Sequence, residues 1–149
     1  AALCNRAACG DDSTLDAITD TGPLDTLRAR YHQMCFAKGK RESEAIRSYA
    51  RHEDEQTRAV YACVTCGRRL HGAPDAAIEE LLRLTGDPAP VVRFYAARTI
   101  GWALEKRLAN STERKAQITA GLKRCLSAET DPRVRAAIEE AQRELPPPK

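Results

Sequence analysis

Between Asp87 and Gly101 the chain reads Asp-Pro-Ala-Pro-Val-Val-Arg-Phe-Tyr-Ala-Ala-Arg-Thr-Ile-Gly. Proline fits the first turn of a helix, and Val92, Ala96, Ala97, Ile100 and Leu104 fall on one stripe, so the spacing predicts an amphipathic helix from Pro90 to about Leu108. A shift of 34 positions aligns Tyr61, Ala62, Thr65, Gly67 and Leu70 with Tyr95, Ala96, Thr99, Gly101 and Leu104, and sets Cys63 and Cys66 on Ala97 and Ile100. A repeat of this period limits the fold sharply. One helical pair cannot bury its own apolar stripe, so successive pairs must stack.

The remaining segments fill in that frame. Residues 42–50 predict a first helix with Ala45, Ile46, Tyr49 and Ala50 inward, and residues 54–70 its partner. A second pair runs from Asp75 to Leu84, carrying Ala77, Ile78, Leu81 and Leu82, and then from Pro90. A third opens at Asn110, which with Glu113 forms a capping-box pattern, and places Ala116, Ile118, Leu122, Cys125 and Leu126 inward. Asp131-Pro132-Arg133-Val134-Arg135 restarts the second-helix pattern with Ala137, Ile138 and Ala141, and Pro146, Pro147 and Pro148 end it. Residues 1–40 do not follow the repeat. Pro23 opens a helix there with Leu24, Leu27, Tyr31, Met34 and Cys35 on one stripe, suited to capping the first unit.

The Asp-Pro, Val-Arg, Ala-Ala, Ile-Gly succession resembles the second-helix signature of HEAT repeats over about residues 41–145. The resemblance implies an all-α fold: a short α-solenoid of about three helical hairpins (41–72, 73–109 and 110–145) behind an N-terminal helical cap (1–40), with a Pro-rich tail (146–149). It implies a scaffold that holds another protein along its second helices. It also implies that Arg93 and Arg135, at the Val-Arg position, pair with acidic residues of adjoining units.

Charge and cysteine content bound the other classes. The net charge is only +3, with acidic and basic residues interleaved, whereas a nucleic-acid binder gathers its basic residues on one face. Nucleic acid is therefore a minor alternative, tested by salt dependence. No apolar run approaches the roughly 20 residues of a membrane-spanning helix. Six cysteines form an even set, and with a first residue other than Met they fit an exported chain, periplasmic or secreted. Cys4, Cys9, Cys35, Cys63 and Cys66 are the disulfide candidates, with Cys63 and Cys66 bonding separately to the cap, and Cys125 a buried thiol.

Cys63-Val64-Thr65-Cys66-Gly67 with His71 is similar to a zinc knuckle, but the fourth ligand is replaced by Ala76 and the repeat puts both cysteines mid-helix. A redox dithiol needs a helix N-terminus to stabilise its thiolate, which this position lacks. A cysteine-dependent zinc or redox protein is thus the competing class. His32, His52 and His71 are scattered, with no nucleophile at local spacing and no Gly-rich phosphate loop, so we expect neither an enzyme nor a cofactor or metal site.

What remains is a surface. Once the stripe from Val92 to Leu104 is assigned to the core, Phe94, Arg98 and Trp102 form a second stripe at four-residue spacing. Val60, Val64 and Arg68 are their equivalents one repeat earlier. Two aromatics bracketing an arginine are the composition of a protein-binding hot region, and these six residues are the expected partner-binding surface.

Overall fold

The computed structural model describes Arg30, Met34, residues 47–65 and residues 74–145. Those residues are helical with no strand, so the all-α expectation holds. A 3₁₀ turn at Tyr49–Arg51 precedes α1 (Glu55–Val64), α2 (Pro74–Leu84), α3 (Pro90–Glu105), α4 (Thr112–Ala128) and α5 (Pro132–Arg143).

The starts of these helices follow from their first residues. Asp54 accepts the Thr57 amide, and Asp131 accepts the amides of Arg133 and Val134 ahead of Pro132. Both supply an oxygen to donors that have no partner inside the helix. Ahead of Pro90 the cap position is Ala89, so the turn is held from outside: Asp87 Oδ1 accepts the Ala89 amide at 2.9 Å. The expected cap at Asn110 is displaced by one residue. Ser111 takes the role and accepts the Arg114 amide at 3.2 Å, because α4 begins at Thr112 and its cap must directly precede it.

The end of α3 is also specific. Arg107 has φ of 57°, Leu108 N donates to Ala103 O, and Arg107 N donates to Leu104 O. This is the Schellman arrangement, with an arginine in the left-handed position that glycine usually takes.

α3 is the hub, packed against α1, α2 and α5, while α4 touches α2 and α5. Two rows result, one of α1, α3 and α5 and one of α2 and α4. The predicted stripe of α3 is buried throughout, as are Ala77, Ile78 and Leu81 of α2 and Val134, Ala137, Ile138 and Ala141 of α5. Each large aliphatic removed from water here contributes about 1.5–3 kcal/mol. In α4 the pattern is narrower: Ile118 and Leu122 are buried, Cys125 and Leu126 half-buried, and Ala116 is exposed. Ala116 lies off the face that α4 turns to its neighbours.

Small residues let the rows close. A methyl group added at Gly101 would sit 3.3 Å from both Cα and Cβ of Ala141, so α3 and α5 meet backbone to backbone. At Gly121 it would sit 2.9 Å from a Leu82 methyl, so a side chain of α2 reaches the backbone of α4 there.

α1 is enclosed differently. Every residue from Ala59 to Thr65 is buried, the mark of a helix covered on all sides. Met34 belongs to the same core, and Arg30 donates to Thr57 Oγ1. The rest of the cap segment, residues 42–46 of the expected first helix and residues 66–70 of the expected helix over 54–70 lie outside the described residues.

Candidate interaction surface

The face of α3 is aimed by charged bridges between successive units. Arg58 of α1 grips Asp87 with two bonds, from Nε at 2.8 Å and Nη2 at 3.0 Å, while its Nη1 donates to the carbonyls of His52 and Glu53. Arg93 of α3 repeats this arrangement on Glu129, at 2.6 and 3.0 Å, with Nη1 on the carbonyls of Asp87 and Pro88. Both carboxylate side chains are 3 % exposed. A planar guanidinium fork matches a carboxylate edge to edge, so each bridge fixes orientation as well as distance. Asp87 sits in the turn before α3, and Glu129 in the turn before α5. The Arg93 fork holds the Glu129 carboxyl below its ordinary value of 4.5, and the backbone N–H groups of Thr130 and Asp131 reinforce it.

Arg135 begins the same way, with Nη1 donating to the carbonyls of Glu129 and Leu126. It meets no carboxylate among the described residues. Arg93 thus makes the interunit ion pair that the family resemblance implied, and Arg135 does not. Arg58 escaped the sequence reading because it lies one position off the 34-residue register that aligns Tyr61 with Tyr95.

On this frame Phe94, Arg98 and Trp102 are all half-buried on α3. The Arg98 guanidinium lies 5.9 Å from the Phe94 ring centroid, and its Nη1 is 3.3 Å from Glu140 of α5. Phe94 meets Tyr95 edge to face at 5.2 Å. Trp102 has its indole Nε1 buried with no hydrogen-bond partner among the described residues. A buried donor left without an acceptor is costly and unusual, which makes this indole a distinctive point of the surface. Beside it, a hollow of about 40 Å³ is walled by Trp102, Gly101, Glu105, Glu140 and Glu144. At the other end, a hollow of about 160 Å³ lies between Phe94, Val91 and Arg133.

The earlier half of the expected surface is placed otherwise. Val60 and Val64 are 1 % and 6 % exposed within α1, where they contribute packing and present no face for a partner. Arg68 lies outside the described residues.

Between α2 and α4 runs a larger open cleft of about 930 Å³. Its lining includes Arg83 and Arg124 at the rim and Cys125, whose Sγ is 3.1 Å from Thr85 Oγ1. No histidine lies among its described lining residues, and no group of ligating side chains that would hold a metal occurs among the described residues of the chain.

The bridging expected of Cys63 does not occur among the described residues: neither Cys63 nor Cys125 is in a disulfide. Cys63 is buried inside α1. Its expected partners Cys4, Cys9 and Cys35, together with Cys66 and His71, lie outside the described residues. No described helix is long and apolar enough to cross a membrane. Comparison with protein-family models, curated proteins and solved structures finds no match to the chain.

Proposed function

We propose that this chain is a non-catalytic protein-interaction module, a short HEAT-like α-solenoid that presents the α3 ridge to another protein. The observation that carries the reading is the ridge itself. Phe94, Arg98 and Trp102 are half-exposed in a row, on the helix held most firmly by its neighbours. Aromatic and arginine side chains on a rigid support bury much area at little entropic cost when a partner docks. An exported inhibitor and an accessory subunit would use such a ridge alike.

Site-directed photocrosslinking tests this. A photoreactive residue in place of Arg98, presented to a lysate of the producing cells, should give a discrete protein adduct. The same residue in place of Thr119, exposed on α4, should not. Equal adducts from both positions, or none from either, would remove the interaction reading.

A further inference from the structure

The charge beside the ridge identifies the class of partner. On α5, Ala136, Glu140 and Glu144 follow one another at four-residue spacing, all exposed, on the helix that packs against α3. The hollow at Trp102 therefore has three carboxylates in its walls, from Glu105, Glu140 and Glu144, and one guanidinium, from Arg98. That guanidinium is already engaged by Glu140 and by the Phe94 ring. Lys106 offsets Glu105 at the edge, 3.1 Å away, and among the described residues no cation pairs with Glu144 or with the outer oxygen of Glu140. The α2/α4 cleft is built otherwise: Glu79, Asp87 and Glu129 are balanced there by Arg83, Arg93 and Arg124. The chain as a whole carries +3, so the negative edge of the ridge is a local feature and does not follow from composition.

We propose that the α3/α5 face docks a cationic amphipathic segment of a partner protein. The segment's apolar side chains would lie on Phe94 and Trp102, and its lysines or arginines would reach Glu140 and Glu144. The inference rests on the interaction reading above and specifies its partner. Three features converge. The Trp102 end of the aromatic row lies beside Glu140 and Glu144, while the Phe94 end lies beside Arg133, so an amphipathic helix would set its apolar stripe along the row and its cations at the Trp102 end. Glu140 is 59 % exposed, so its second oxygen is open to a further cation without breaking the Arg98 pair. A carboxylate that already accepts one guanidinium has lone pairs left for another donor. Finally, a nucleic-acid backbone or an acidic peptide would bring like charge against Glu144, which disfavours binding.

Trp102 is the chain's single tryptophan, so its fluorescence reports the site directly in the full-length protein. The probes are two synthetic helices of identical length and leucine pattern, one carrying lysine and one glutamate at every polar position. The lysine helix should alter Trp102 emission and bind about tenfold or more tighter than the glutamate helix, an advantage that shrinks with added salt as charges are screened. The pair Glu140→Gln and Glu144→Gln, both exposed and conservative, should weaken the lysine helix about fivefold or more. The control pair Glu53→Gln and Glu113→Gln, exposed but away from the ridge, should leave it within about twofold. Equal binding of the two helices, or no effect of the Glu140 and Glu144 changes, overturns the proposal. If neither helix binds while crosslinking from position 98 still yields a protein adduct, the charge class fails and the interaction module stands. If both experiments are blank, both readings fall.

Discussion

Arg93 and Arg135 stand in the first turns of α3 and α5 and send Nη1 to the carbonyl six residues back in the same way, yet among the described residues only Arg93 closes on a carboxylate. The two regions differ in what lies beyond them. Past Arg93 comes α5, whose small face at Ala141 meets Gly101 at backbone distance. On α5 itself Glu139 and Arg143, both exposed, stand where α3 has Ala97 and Gly101. That face of α5 is charged and exposed where the same face of α3 is small and covered. The inner rung reaches across to the turn before the next helix of the row, whereas the outer rung stays with α5, its own turn and the end of α4. The same arginine in the same local setting thus differs in worth, which no local pattern records.

Arg93→Ala is expected to have the largest effect, a loss of about 3–5 kcal/mol in urea unfolding, because it leaves Glu129 buried without its cation. A loss comparable to that of a surface pair would show that water replaces the fork and that the inner rung is not special. Next is Gly101→Val, expected to cost about 1–3 kcal/mol by forcing α3 from α5, whereas Arg143→Val should change stability by about 0.5 kcal/mol or less. Similar costs for these two would mean that the ends of the row are packed alike. Arg135→Ala should cost about 1 kcal/mol, the worth of its carbonyl hydrogen bonds.

The smallest effect is in acid. Since the Glu129 carboxyl is held below 4.5 in the folded chain, its stabilisation is complete above that value and is lost as pH falls through the depressed one. Arg93→Gln should flatten this part of the acid-unfolding curve, and Arg135→Gln should leave it unchanged. A curve identical in all three proteins would detach the acid response from the inner rung.

Much of the fold was legible because its determinants are local. The prolines at 90 and 132 place two helix starts, and the spacing from Val92 to Leu104 names the buried face of α3. Boundaries were less secure. Asn110 and Ser111 are both good caps, and only the packing of α4 decides between them. The exposure of the candidate surface was half legible. Phe94, Arg98 and Trp102 stand out by composition and remain partly exposed, but Val60 and Val64 look equivalent in sequence and are buried. Exposure depends on what covers a helix, and a valine carries no record of that. The bridges illustrate the same limit, because Asp87 and Glu129 are unremarkable turn acids until an arginine from the preceding unit is folded onto them.

The contact at Gly121 lies on the wall of the large cleft, which both Gly121 and Leu82 line. Along the row of α1, α3 and α5, helices touch closely, and salt bridges join α1 and α3 to the turns that precede α3 and α5. A side chain larger than glycine at position 121 would therefore push Leu82 aside and change the width of that cleft, while the spacing of Phe94, Arg98 and Trp102 is set in the other row by the packing of α3 against α5.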